Sequence, residues 1–224
     1  MQPVATVIAF GADPSRDAAK LDATALACET LRPGEDLFAR IKRAEAGSLV
    51  ILLAEASDDA ALAAAEKARR ILRKRSGGEA ILVLPALPAL PGPEARRRLA
   101  RSARLTGACL VQPVGAASWN DAVRCFVEPL AIYGLIGVDP REIHALLRPR
   151  VALLHRWNDA TLDRSLSQAT EVLVSCRLRP SATLLEVDAA AARVRSATNV
   201  RLVLTGPEVN DGPRALAAVF IDAG

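Results

Sequence analysis

The sequence predicts an α/β protein: a parallel-sheet N-terminal domain with helices on both faces, a long central helix, and a smaller mixed-sheet α/β C-terminal domain. Three observations predict it. Short, wholly apolar runs alternate with amphipathic stretches from Val4 to Val114, the pattern of a mostly parallel sheet with crossover helices. A long apolar segment then runs from Ala117 into the turn Gly134–Ile143. A second alternating unit follows it to Gly224. The implied units are 1–116, 117–138 and 139–224.

In chain order, Val4–Phe10 is a β-branched run closed by Gly11, a first strand. Ala23–Leu31 fits a strand or a short helix, and Pro33-Gly34 ends it. Leu37, Phe38 and Ile41 suit a helix over Glu35–Ala46. Ser48–Ala54, SLVILLA, reads as a strand buried on both faces. Ala60–Arg75 is a strong helix stopped by Gly77-Gly78. Glu79–Leu84 is a strand, PALPALPGP an extended connector, Glu94–Leu105 a helix and Ala108–Val114 a strand.

The central helix takes Ser118 as its cap and contains Pro129, which predicts a kink or a late start. Asp139-Pro140 opens another helix. The remainder predicts a strand at Val151–Leu154, a helix at Leu162–Val174, a strand at Thr183–Val187 and a helix at Ala189–Ala197. Val200–Thr205 and Ala215–Asp222 predict a terminal hairpin in a second small sheet.

Composition bounds the function. Of 224 residues, 51% are hydrophobic and only 3% aromatic, so the core is aliphatic. The net charge of +4 speaks to solubility and steering. Cys28, Cys109, Cys125 and Cys176 lack metal-ligand or redox spacing, which suggests free thiols and a cytoplasmic setting. No segment reads as a signal peptide or transmembrane span. His144 and His155 read as structural, Trp119 and Trp157 as half-buried anchors. No nucleophile elbow or acid–base constellation occurs, so neither catalytic residues, cofactor nor metal is expected.

Two groups of surface residues stand out. Arg97, Arg101 and Arg104 share one helical face at i, i+4, i+7 spacing, either a solvated face or a patch for an anionic partner. The lack of interleaved aromatics argues against nucleic acid. Arg69, Arg70, Arg73, Lys74 and Arg75 cluster where a helix C-terminus favours cations.

From Trp119 onward the order of elements, with the turn GLIGVDPREIHALL and the closing LVLTGPEVNDGPRALAAVFIDAG, resembles the C-terminal half of FtsZ and, more distantly, tubulin. The resemblance implies that the turn is the loop with which one subunit reaches its neighbour's nucleotide. Gly137 then stands where that loop carries asparagine, and Asp139 and Glu142 where it carries its two acids, with Arg141 between them. Capping alone also accounts for Asp139 and Glu142. The first half follows the same order but lacks the glycine runs that FtsZ wraps around phosphate. Its loops read GADPSRDAAK and AEASDDAALAAA, and Glu55, Asp58 and Asp59 stand where phosphate would sit.

The implied protein binds no GTP and docks on FtsZ-type filaments. The alternatives are nucleotide-independent self-assembly as a homo-oligomer or filament, and an enzyme reusing the old cleft for a small molecule. Set beside FtsZ, the resemblance ends with the second domain, so no tether of the FtsZ linker-and-peptide kind is expected.

Overall fold

A computed structural model describes residues 5–11, 28–31, 39, 49–54, 59–75, 80–131, 145–177, 183–195, 199–205 and 215–221. Its frame is one nine-stranded sheet. The strands are β1 (Ala5–Phe10), β2 (Cys28–Leu31), β3 (Leu49–Ala54), β4 (Ala80–Val83), β5 (Cys109–Pro113), β6 (Val151–Arg156), β7 (Glu171–Arg177), β8 (Asn199–Thr205) and β9 (Ala215–Ile221). They lie in the order β2-β1-β3-β4-β5-β6-β9-β7-β8. Every residue of β1, β3, β4 and β5 is buried, as continuous apolar runs demand when helices cover both faces.

The helices are α1 (Asp59–Arg75), α2 (Pro93–Thr106), α3 (Trp119–Ala131), α4 (Leu162–Leu166) and α5 (Leu184–Val194). Ala61, Ala65, Ala68 and Leu72 of α1 join Ala100 and Ala103 of α2, Leu162 of α4 and Val194 of α5 in the core on one sheet face. The alanines let helix and sheet approach closely. α3 supplies Ala122, Val123, Cys125, Phe126 and Val127 to the core on the other face. There Phe126 meets Phe220 of β9 edge to face, ring centroids 6.5 Å apart. Pro129 sits within the last turns of α3.

The α/β class and the mostly parallel first half agree with the sequence. Four expectations are corrected. The mixed set β6-β9-β7-β8 does not form a sheet of its own, because β6 pairs in parallel with β5 from Leu110↔Val151 to Pro113↔Leu154. β8 and β9 are no hairpin: β9 runs antiparallel between β6 and β7, and β8 pairs with β7. The helix expected over Leu162–Val174 stops at Leu166, and β7 begins at Glu171. Ser165 and Leu166 already face the core, and Val172, Leu173 and Val174 are all buried, a two-sided burial that suits a strand. Conversely, Leu184–Val194 is one helix rather than a strand and a helix. Its alanine run carries the helical propensity through a short apolar stretch that periodicity alone leaves ambiguous. The helix expected over Glu35–Ala46 lies outside the described residues apart from Ala39, which is helical.

Candidate functional site

The direction of the strand order reverses between β1 and β3, with β2 on one side and β4 on the other. In such sheets ligands bind at the carboxyl ends of the two strands flanking the reversal. Phe10 and Ala54, the last residues of β1 and β3, are register partners, so the connections that follow them leave the sheet side by side. Gly11 turns out of β1 with φ 97°, a conformation open to glycine. Asp59 opens α1, whose 17 residues bring a positive helix end to this crevice. Glu55 and Asp58 lie outside the described residues.

A second polar cluster, at the carboxyl ends of β4, β5 and β6, anchors the central helix. Asp121 is buried; its Oδ2 accepts from Nε of Arg156 at 3.0 Å and forms an ion pair with the second terminal nitrogen of that arginine, also at 3.0 Å. The same oxygen accepts from Ser118 N–H at 2.9 Å and Ser118 Oγ at 3.1 Å, while Asp121 N–H donates to Ser118 Oγ at 3.3 Å. This is a reciprocal cap with Asp in the usual Glu position. It bears out Ser118 as the cap and ties the helix start to β6. Trp119 Nε1 donates to Leu84 O at 2.9 Å, and Gln112 Nε2 to Pro85 O at 2.5 Å, so α3 and the proline connector are both latched to the sheet end. Trp119 and Trp157 are half-buried, as expected.

Beside this cluster His155 is fully buried on β6, with Asp159 Oδ2 3.7 Å from its Nδ1. Neither ring nitrogen makes a hydrogen bond among the described residues. Burial pushes the imidazole below its ordinary range, only partly opposed by Asp159, so the ring is neutral at pH 7. Burial alone would raise Asp159. The hydroxyl and N–H of Thr161, at 2.6 and 2.7 Å, together with His155, outweigh that and hold it below the usual carboxylate range. Gly115, at φ +62°, leaves the space Asp159 occupies. The group stiffens the β6–α4 corner, in line with the structural reading of His155. Among the described residues no cluster of three or more His, Cys, Asp or Glu side chains is arranged for a metal ion.

Arg97, Arg101 and Arg104 are all exposed on α2, with the common outward face expected of them. Their neighbours are committed elsewhere: Arg96 Nε donates to Pro91 O at 2.8 Å and its guanidinium reaches Gln168, and Arg98 pairs with Glu94 at 3.6 Å. Arg69, grouped by sequence with the cations favoured at the end of its helix, has a further role. It is buried and donates to Gly107 O at 2.7 Å, tying α1 to the end of α2. Gly137, Asp139, Arg141 and Glu142 lie outside the described residues. The sequence reading missed the Asp121–Arg156 and Gly115–Asp159 relationships. Ser118-x-x-Asp121 and Asp159-x-Thr161 were visible as local capping patterns, but their partners are far along the chain.

This α/β architecture, with a mostly parallel half and a mixed half of the sheet and α3 packed against β7, β8 and β9, matches the tubulin/FtsZ-like class of fold. The solved structures agree. The chain is similar to TubZ of Clostridium botulinum phage c-st, with a TM-score of 0.58 at 9% identity, over 99% of this chain and 93% of that one. It is similar to CetZ from Methanosaeta thermophila strain DSM 6194, with a TM-score of 0.56 at 10% identity, over 99% and 87%. A C-terminal tail-truncated form of the same phage TubZ gives a TM-score of 0.55 at 8% identity, over 98% and 92%. No protein-family model matches the chain. No curated protein matches it by sequence. The protein thus has the FtsZ/tubulin-like fold, and no helix among the described residues is long and apolar enough to cross a membrane.

Proposed function

We propose that this is an assembly protein of the tubulin-like fold that works without GTP, docking end-on against an FtsZ-type subunit to cap or tune its filament. The observation that carries the reading is the chemistry of the β3–α1 connection. The crevice sits where a nucleotide phosphate would be held, yet the sequence from Ala54 to Ala60 has no glycine and contributes Glu55, Asp58 and Asp59. A carboxylate about 4 Å from a phosphate charge costs about 4 kcal/mol at an effective dielectric of about 20. By sequence, an acid also stands at the first position of α1, where the helix dipole would otherwise favour an incoming anion.

By sequence, the docking element is the segment Gly134–Ile143, in which Asp139 and Glu142 supply the acids and Gly137 and Arg141 are the other candidate positions. The test is co-sedimentation with FtsZ filaments. The native chain should shorten them or change their GTPase rate, and Asp139→Ala with Glu142→Ala should weaken the effect. Unchanged affinity in that variant would assign both acids to helix capping alone.

A second reading is head-to-tail self-assembly without nucleotide. It is favoured by a likeness that spans both halves of the fold in TubZ and CetZ, because an open heterologous contact needs both ends of one chain. Concentration-dependent light scattering of the protein alone separates the two.

A further inference from the structure

The geometry points to a membrane-docking surface on the outward faces of α1 and α2, one that binds the phosphate headgroups of an anionic lipid bilayer. The bond from Arg69 to Gly107 O, 2.7 Å, pins α1 against the end of α2. Lys67 and Arg70 of α1 are exposed, as are Arg101 and Arg104 in the last turns of α2, and Arg97 extends the row of α2 cations back along the helix. None of these five cations forms an ion pair with another described residue, whereas Arg96 and Arg98 do engage partners.

Helix capping does not account for the ridge. The end of α2 is already satisfied: Gly107 N–H, in a left-handed cap, donates to Ala103 O, and Thr106 Oγ1 donates to Ser102 O at 2.8 Å. Arg69 takes the Gly107 carbonyl. Arg97 and Lys67 lie well before their helix ends, beyond the last-turn reach of the dipole. The cations of α2 are all arginine, whose planar fork binds phosphate through two parallel bonds.

Leu105 decides which polyanion fits. It is 72% exposed and continues the line Arg97, Arg101 at the next i+4 position, adjoining Arg104 at the end of α2. A nucleic acid would set this side chain against charged backbone. A bilayer takes it among acyl chains while the arginine heads stay at headgroup level. Neither helix carries an aromatic residue on which bases would stack. The cluster lies near the amino ends of β4 and β5, the opposite end of the sheet from the β1–β3 crevice, so docking there leaves the crevice free.

The test is vesicle co-sedimentation of the full chain at physiological salt. The protein should pellet with phosphatidylcholine vesicles containing about 30% phosphatidylglycerol and not with pure phosphatidylcholine, since each surface cation adds to attraction by an anionic leaflet. Arg97→Gln, Arg101→Gln and Arg104→Gln together should lower the partition coefficient more than about tenfold. Leu105→Ser, which leaves charge unchanged, should lower it about fivefold or more. All four positions are exposed, and unchanged melting of the variants verifies folding. Failure to bind anionic vesicles, or binding indifferent to these substitutions, would overturn the proposal. So would tighter binding to a duplex DNA than to the vesicles with no effect of Leu105→Ser, which would make this a nucleic-acid surface. The assay uses neither GTP nor FtsZ, so its result is independent of the assembly reading.

Discussion

Arg156, at the end of β6, donates from Nε to Asp121 Oδ2 near the start of α3 at 3.0 Å, and its second terminal nitrogen forms an ion pair with the same oxygen at 3.0 Å. The pair joins residues 35 positions apart and fixes the central helix to the sheet at the very edge that carries the crevice. Asp121 is also the acid of the Ser118 cap, so a single carboxylate terminates the helix and anchors it. Removing one partner leaves the other charge stranded in a largely dry site. Arg156→Ala, which strands the buried Asp121 carboxylate, should therefore destabilise the fold by about 3 kcal/mol, whereas Asp121→Ala leaves an arginine that is 35% exposed and can reach water, so its cost of about 1 kcal/mol comes chiefly from the lost Ser118 cap. Urea denaturation of both single variants and the double variant measures the coupling, and an additive pair would refute it.

Gly115 and Asp159 are shaped to each other. A Cβ at 115 would lie 2.4 Å from Asp159 Oδ2, and φ is +62°. Gly115→Ala should cost about 2–3 kcal/mol, from the left-handed backbone and the displaced carboxylate together. Gly92, where a Cβ would meet nothing within 4 Å, should accept alanine with little change in the same denaturation assay.

The buried His155 sets a pH dependence of defined sign. Its folded-state affinity for protons is lowered by burial, so above about pH 6.5 it is neutral in both states and contributes no slope. As pH falls below that value the unfolded chain takes up the proton first, and stability declines. Asp159, held below the usual carboxylate range, adds a separate loss only near and below about pH 4. His155→Leu should flatten the stability profile between about pH 6.5 and 5 and leave the lower-pH loss in place. Thermal melts across that range provide the measurement.

Much of this fold was legible because its signals are local. SLVILLA announces a doubly buried strand without reference to anything else, and the Arg97, Arg101, Arg104 spacing announces an outward helix face. What stayed hidden depends on distant pairing. Nothing near Ala215 states that β9 will enter between β6 and β7 rather than fold back on β8, and nothing near Val151 states that β6 will extend the first sheet. Likewise Ser118-x-x-Asp121 reveals a cap, but its arginine is supplied by another strand. Arg69 looks like one more cation in a basic run, and only the approach of α2 turns it into a buried clamp.

The buried cysteines offer a further check. Burial pushes the Cys109 thiol up to about 12 and the Cys176 thiol to about 11, and raises Cys125 further still, with the nearby Glu128 and Asp121 adding to the rise. All three should resist iodoacetamide in the folded protein at neutral pH and react once it is unfolded. Mass spectrometry before and after urea treatment reads this, and rapid labelling of any of them in the native state would contradict the packing described.

The central claim is assembly chemistry without GTP, and titration of the protein with a fluorescent GTP analogue, followed in parallel by sedimentation velocity, tests it most directly. No saturable signal should appear at micromolar concentrations, and the sedimentation profile should be indifferent to GTP. Saturable binding competed away by unlabelled GTP, with a change in assembly size, would contradict it and restore the β1–β3 crevice as a working nucleotide site.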